Sequence, residues 1–330
     1  MDLCIAIIIF GIGIFLIIKG GDWFVDSASW IAHAAKIPTF VIGATIVSFA
    51  TTLPELIVSV MASIGDKNDL AVGNAMGTAI ANIGLIIGVA FTFMTITTPR
   101  KNYWQHSLLL ICSTITLWLG CLGNSLNIWA SLILLLIYFT FISINLIQGR
   151  LDTNQKGKKP IEIEISPEEN AKIKKEKKNK KIVFLKIFLF IIGAIFIIIG
   201  SNFLIKGGST IANSLGIPER LIAISIVAIG TSLPELVTTI AAIRKKEGSL
   251  SIGNIIGANI INLTLILPIC SLIANGSLLI SNDSIFFDFP FCLILSLIAT
   301  IPLLIKQRTY KWQGIIILII YFTYLTISIL

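Results

Sequence analysis

Thr51-Thr52-Leu53-Pro54-Glu55 recurs as Thr231-Ser232-Leu233-Pro234-Glu235, 180 positions further on, and both copies lie inside apolar sequence. The same offset, without a gap, carries Gly20 onto Gly200, Ile37-Pro38 onto Ile217-Pro218, Gly73-Asn74 onto Gly253-Asn254, Gly77 onto Gly257 and Asn82 onto Asn262. The chain is an internal duplication. Its two acids stand where lipid is expected, and ionisable residues at that depth mark functional sites because they are costly to keep there.

The 330 residues are 55% hydrophobic and 13% charged, with a mean hydropathy of +0.94, too few polar residues to cover a soluble globule of this size. A spanning helix needs roughly 20 apolar residues, and about ten such runs fill the chain. They start near Leu3, Pro38, Leu70, Gln105, Asn127, Ile182, Pro218, Leu250, Ile285 and Gln313. Continuously apolar runs exclude a barrel of alternating polarity. The first run, Leu3 to Ile18, lacks a basic leader and a small-residue cleavage site and matches the internal run Ile182 to Ile199, so it reads as a span rather than a signal peptide. Cys4, Cys112, Cys121, Cys270 and Cys292 show no metal or redox spacing and read as buried small hydrophobes.

The net charge of +8 is concentrated in Arg150 to Lys181, which reads as a solvated linker rather than a nucleic-acid surface. Its Lys172 to Lys181 run also suits anionic lipid headgroups. The linker divides the chain into a first five-helix repeat (1–149), a basic cytoplasmic segment (150–181) and a second repeat (182–330). Positive charge stays cytoplasmic, so five spans on either side put both termini outside the cell membrane. Lys36, Arg100, Lys101, Arg244, Lys245, Lys246, Lys306, Arg308 and Lys311 then fall inside, and the outer loops 65–69, 120–125 and 281–284 are poor in cations. Lys206 and Arg220 are the exceptions. An odd number of spans per copy inverts the second copy. The expected fold is an all-α integral membrane protein of ten transmembrane helices, built as two inverted five-helix repeats with Glu55 and Glu235 meeting near the midplane.

Helical spacing places Ser48, Thr51, Thr52 and Glu55 on one face, and likewise Ala228, Thr231, Ser232 and Glu235. Each proline before a glutamate removes an N–H and is expected to free carbonyls around Ala50 and Gly230, tolerable at this depth only in a buried or wet cavity. The next helix of each copy adds Asn74, Thr78 and Asn82, or Asn254, Asn259 and Asn262, while Gly73, Gly77, Gly253 and Gly257 allow close helix packing. Carboxylates, hydroxyls, amide oxygens and carbonyls form a hard-cation set. Without a cation or proton the two acids would repel each other in low dielectric, which favours exchange over free passage. No basic residue lies in an apolar span to pair with either acid. His33, opposite Asn213, reads as a helix-end residue, and Lys19, Asp22 and Asp26 as solvated or snorkelling.

On these residues the chain resembles the cation/calcium exchanger superfamily, in the sodium/calcium exchanger branch with compact prokaryotic members of ten helices. Its two alpha-repeats correspond to 43–82, from Gly43 to Glu55 and Gly73 to Asn82, and to 223–262, from Ala223 to Glu235 and Gly253 to Asn262. The resemblance implies exchange of three sodium ions for one calcium by alternating access, with the first and sixth helices sliding against the rest. It assigns calcium to Glu55 and Glu235 with Thr51 and Thr231, and sodium to Thr52, Ser232, Thr78, Asn82 and the carbonyls of Ser48 and Ala228. Asn262 occupies an ion-site position where many members carry aspartate, and Ala258 one where a serine usually contributes.

The leading expectation is therefore a sodium/calcium antiporter that extrudes calcium, with Ca2+ and Na+ as substrates, the bilayer as its surroundings, and no cofactor, nucleic acid or obligate protein partner. The alternative on the same fold is a Ca2+/H+ antiporter. Proton-coupled relatives place an acid soon after the Gly-Asn pair, whereas Gly73-Asn74 continues as Ala75-Met76-Gly77, which favours sodium. An intramembrane enzyme could use two carboxylates as acid and base or to hold a metal, but it would not need pseudo-symmetric carbonyl and hydroxyl ligands on inverted repeats, and no separate nucleophile is evident. A channel's ring of acids usually comes from a symmetric oligomer.

Overall fold

A computed structural model describes residues 3–98, 100–154, 172–173, 175–214 and 232–329. The first half supplies α1 (Leu3–Ala35), α2 (Thr39–Ile64), α3 (Asn68–Phe93), α4 (Arg100–Gly120) and α5 (Ile128–Asn154). The second supplies α6 (Lys180–Ser214), α7 (Leu233–Arg244), α8 (Gly248–Ile273), α9 (Ser284–Lys306) and α10 (Lys311–Ile329). The start of the span expected near Pro218 lies outside the described residues. Eight of these helices are long and apolar enough to cross a membrane. The other two are α4, whose first turns carry Arg100, Lys101, Asn102, Gln105, His106 and Ser107, and α7, with 12 described residues.

The duplication is visible in backbone geometry. The α2–α3 turn places Asp66 at φ 56° and the α7–α8 turn places Lys246 at φ 60°, and these two residues are related by the sequence offset. The flanking hydrogen bonds repeat in the same way: Lys67 N to Ala62 O at 2.9 Å, and Glu247 N to Ala242 O at 2.8 Å.

Glycines set how closely the helices approach. A Cβ added to Gly13 would meet the Gly200 carbonyl at 2.9 Å, and one on Gly20 would meet the Gly193 carbonyl at 2.8 Å. The offset exchanges these two pairs, as an antiparallel α1–α6 couple made from inverted copies requires. At the centre, α8 is buried on every side along Leu250–Ile261, the mark of a helix surrounded by protein rather than lipid. It crosses α2 where Gly253 abuts the Phe40 carbonyl and Gly257 abuts Ala44 and Ser48.

The two ends of the bundle are tied by short extended pieces that an all-helical reading misses. β1 (Ser125–Asn127) pairs antiparallel with β2 (Ser277–Leu279), in the register Ser125 to Leu279. At the other end of α4, Thr97 bridges to Arg308, and Thr309 N donates to Ile96 O at 2.9 Å. The 21 residues of α4 separate these two ends by roughly 30 Å, about one hydrocarbon core.

One expectation needs correction. Asp22 and Asp26 are not simply solvated: Lys245 Nζ lies 2.6 Å from Asp26 and 3.7 Å from Asp22, Arg244 reaches Asp22 at 3.9 Å, and Ser29 donates to Glu247. The end of α1 is thus pinned to the α7–α8 turn by residues more than 200 positions away. Because these groups are partly exposed and screened, Lys245→Ala is expected to cost about 1 kcal/mol or less. Thermal unfolding at low ionic strength reads this loss, which shrinks in high salt.

Candidate cation site

Ser48, Thr51, Thr52 and Glu55 are all buried along α2, as their spacing predicts. Glu235 lies in the first turn of α7, directly after Pro234, and its neighbour Ser232 precedes the helix. The two motifs meet: Thr52 Oγ1 donates a long hydrogen bond to Glu235 Oε1 at 3.5 Å, and the two carboxylates lie within coulombic reach of each other. Glu55 is 1% exposed and Glu235 is fully buried. Among the described residues, neither Glu55 oxygen has a hydrogen-bond donor, nor does Glu235 Oε2, and no described cation pairs with them.

Asparagines on the next helices brace this arrangement. Asn74 Nδ2 donates to the Glu55 carbonyl at 3.2 Å and to Ser59 Oγ at 2.9 Å. Its duplicate Asn254 accepts from Thr51 Oγ1 at 3.2 Å and donates to Thr238 Oγ1 at 3.0 Å. Asn82 Nδ2 donates to Asn259 Oδ1 at 3.0 Å, and Asn259 Nδ2 donates to the Ala79 carbonyl, also at 3.0 Å. Ala79 and Asn259 are themselves duplicates, so this bond joins equivalent points of the two repeats. Asn259 Oδ1 thereby holds the Asn82 amide by its nitrogen, and Asn82 Oδ1 has no donor among the described residues. Sequence reasoning named Asn259 as a ligand candidate; its amide is instead occupied in orienting Asn82.

Thr78 Oγ1, Ser232 Oγ and both polar atoms of the Asn262 side chain are buried without partners among the described residues. No described hydrogen bond ties these three to the carboxylates. The Ser48 carbonyl accepts Thr51 Oγ1 at 3.3 Å, and Ser48 Oγ turns to the Thr45 carbonyl at 3.0 Å. Ala258 is fully buried and offers no side-chain oxygen. Thr231 and Ala228 lie outside the described residues, as does Gly230.

In the first copy the helix irregularity is not where Pro54 pointed. Helical backbone runs unbroken from Ser48 through Pro54 to Ile64, although Pro54 cannot donate to the Ala50 carbonyl. The described wide turns lie elsewhere, as π-helical stretches at Gly43–Val47, Asn82–Ile87, Asn262–Ile266 and Ser284–Asp288. The second and third begin at the duplicated asparagines. A switch from four- to five-residue bonding leaves a carbonyl over at the junction, and such bulges recur at functional sites. The two segments share Asn-aliphatic-x-Leu-Ile, 82–86 and 262–266, a pattern equally at home in an ordinary α-helix.

Buried oxygens without donors among the described residues, two of the side chains ionisable and none matched by a described cation, form a set suited to a hard cation or to protons. Comparison with known proteins points the same way. The family model described as sodium/calcium exchanger protein matches residues 5–147 and 185–330. A protein named sodium/calcium exchanger MaX1, from Methanosarcina acetivorans, is 29% identical over 346 aligned positions covering 96% of each chain. The inner membrane protein YrbG of Escherichia coli is 32% identical, covering 81% of this chain and 79% of its own. The solved sodium-calcium exchanger NCX_Mj, soaked with Na+ and Sr2+, superposes with a TM-score of 0.81 at 27% identity, covering 98% of this chain and 99% of that one. With both halves matched by one family model and the fold shared from end to end, this chain belongs to the sodium/calcium exchanger family.

Proposed function

We propose that this protein exchanges Na+ for Ca2+ across the cell membrane by alternating access, with Glu55 and Glu235 sharing the calcium ion. The observation that carries this reading is the buried pair of carboxylates with three oxygens that have no donor among the described residues. Leaving such charges unpaired costs several kcal/mol per ion, so the site moves loaded rather than empty. Ca2+ takes roughly six to eight oxygens in flexible geometry. Thr51 supplies a hydroxyl beside the two acids, with Thr231 of the same motif. Thr52, Ser232, Thr78, Asn82, Asn262 and the carbonyls of Ser48 and Ala228 supply neutral oxygens suited to Na+. The names of MaX1 and NCX_Mj support the same pair of ions.

Orientation follows from charge. The paired loops at 96–98 and 307–309 gather Arg100, Lys101, Lys306, Arg308 and Lys311 at one end of the bundle, while the β1–β2 end carries no lysine or arginine in 121–127 or 274–283. The basic end is assigned to the cytoplasm, with the 150–181 segment inside, both termini outside, and calcium extruded down the sodium gradient.

Calorimetric titration of Ca2+ into the detergent-purified protein tests the shared site. Added Na+ is expected to weaken Ca2+ binding where equal K+ does not; binding indifferent to Na+ but abolished by mild acid would transfer the role to protons. Asn262→Asp adds an acid to the site and is expected to change the Na+ or pH dependence of that titration while the melting temperature holds. An unchanged ion dependence would place Asn262 outside the site.

A further inference from the structure

The lysine-rich stretch ahead of α6 is anchored to the bundle. Residues 172–173 and 175–177 are helical, and their inner face docks on the end of α1. Ile173, 8% exposed, packs against Trp30 and Ala34, and Ile31, Ile182 and Val183 close the cluster. Trp30 Nε1 donates to Glu176 Oε2 at 2.9 Å. Lys177 Nζ donates to the Ala34 carbonyl at 2.7 Å, placing a cation on the last turn of α1, where the helix dipole favours it.

This docking uses Glu176 and Lys177, and it leaves the other described lysines of the stretch exposed. Lys172, Lys175, Lys178, Lys180 and Lys181 are exposed, and none pairs with a described acid. Lys180 and Lys181 open α6 immediately before Ile182, Val183 and Phe184. Phe184 is 72% exposed and Phe188, one turn further, is exposed as well, apolar surface that a bilayer covers. The cations therefore stand at the level where headgroups begin. Crowded like charges repel one another, and an anionic surface relieves this; each such lysine gains about fivefold in affinity for it.

We propose that Lys172, Lys175, Lys178, Lys180 and Lys181 form a binding surface for the phosphate groups of anionic membrane lipids, and that the docking of Glu176 on Trp30 transmits the hold of those lipids to α1. The lipid headgroup is the source of the phosphate, because the same lysines adjoin the apolar, membrane-facing start of α6. The surface stands on its own geometry; its effect on transport rests on the exchange reading above.

The test uses the full-length protein, the variant with Lys172, Lys175, Lys178, Lys180 and Lys181 all changed to Gln, and Trp30→Phe, which keeps the packing but removes the donor to Glu176. Native mass spectrometry is expected to show the wild type and Trp30→Phe retaining phosphatidylglycerol over phosphatidylcholine, and the five-Gln variant retaining at least about tenfold less. In proteoliposomes, wild-type calcium flux is expected to change by about threefold or more when phosphatidylglycerol is added, and the flux of both variants to be indifferent to it. Equal retention by the wild type and the five-Gln variant overturns the surface, as does soluble pyrophosphate reproducing the effect in neutral liposomes. A lipid-dependent flux that survives in Trp30→Phe overturns the link to α1. Absence of calcium flux in any lipid, with the retention pattern intact, counts against the exchange reading alone.

Discussion

Glu55→Gln is expected to lower calcium-dependent flux by at least about 100-fold, and Glu235→Gln to do the same, because each removes one of the two charges that offset the desolvation of a divalent ion. Breaking a buried charge pairing costs about 3–5 kcal/mol, which corresponds to two or more orders of magnitude in binding. The sign of the stability change is opposite. In the absence of calcium, each substitution removes one of two mutually repelling buried carboxylates, so the variants are expected to melt at or above the wild-type temperature. Thermal shift with and without Ca2+ separates the two effects: the wild type gains stability from the ion by mass action, and both variants lose that gain. A Glu55→Gln protein that Ca2+ still stabilises would remove the acid from the site.

Gly253→Val and Gly257→Val are expected to be the most damaging changes outside the acids. A Cβ on Gly257 would stand 2.5 Å from the Ala44 carbonyl and 2.6 Å from Ser48 Oγ, and one on Gly253 would run into the Phe40 carbonyl. In both cases backbone obstructs it, so α2 itself must shift. Overpacking of this kind costs about 1–3 kcal/mol per site and more when no side chain can give way. The shift also displaces Ser48, Thr51, Thr52 and Glu55, so calcium binding falls along with the melting temperature. Gly11, whose Cβ would have no described atom within 4 Å, is the control; Gly11→Ala is expected to leave both unchanged or slightly raise stability, as alanine favours helix by about 1 kcal/mol. Equal tolerance at Gly11 and Gly257 would mean that α2 and α8 are not held this closely.

Much of the fold was legible because a duplication writes each feature twice. The offset that aligned the two acid motifs also relates Asp66 to Lys246 at the turns, and Gly13 and Gly20 to Gly193 and Gly200 at the α1–α6 contact. Burial of the motif residues followed from hydrophobic context and helical spacing. What stayed hidden depends on partners distant in sequence. The Lys245 pairing with Asp22 and Asp26 joins residues on different helices, and nothing local distinguishes a paired aspartate at a helix end from a solvated one. The β1–β2 ladder involves three residues per strand, too few for a period to register. The wide turns at Asn82 and Asn262 are a choice between bonding patterns of nearly equal energy that packing decides. Pro54 drew attention to the wrong turn, since a proline removes a hydrogen bond without necessarily breaking the helix around it.

Calcium-45 uptake into proteoliposomes loaded with Na+, with K+ or with a proton gradient, alongside Glu55→Gln, tests the exchange reading most directly. Uptake is expected to require internal Na+, to fail with K+, and to be absent from the Glu55→Gln protein. Uptake driven by the proton gradient alone would contradict sodium coupling, and uptake that persists in Glu55→Gln would contradict the site.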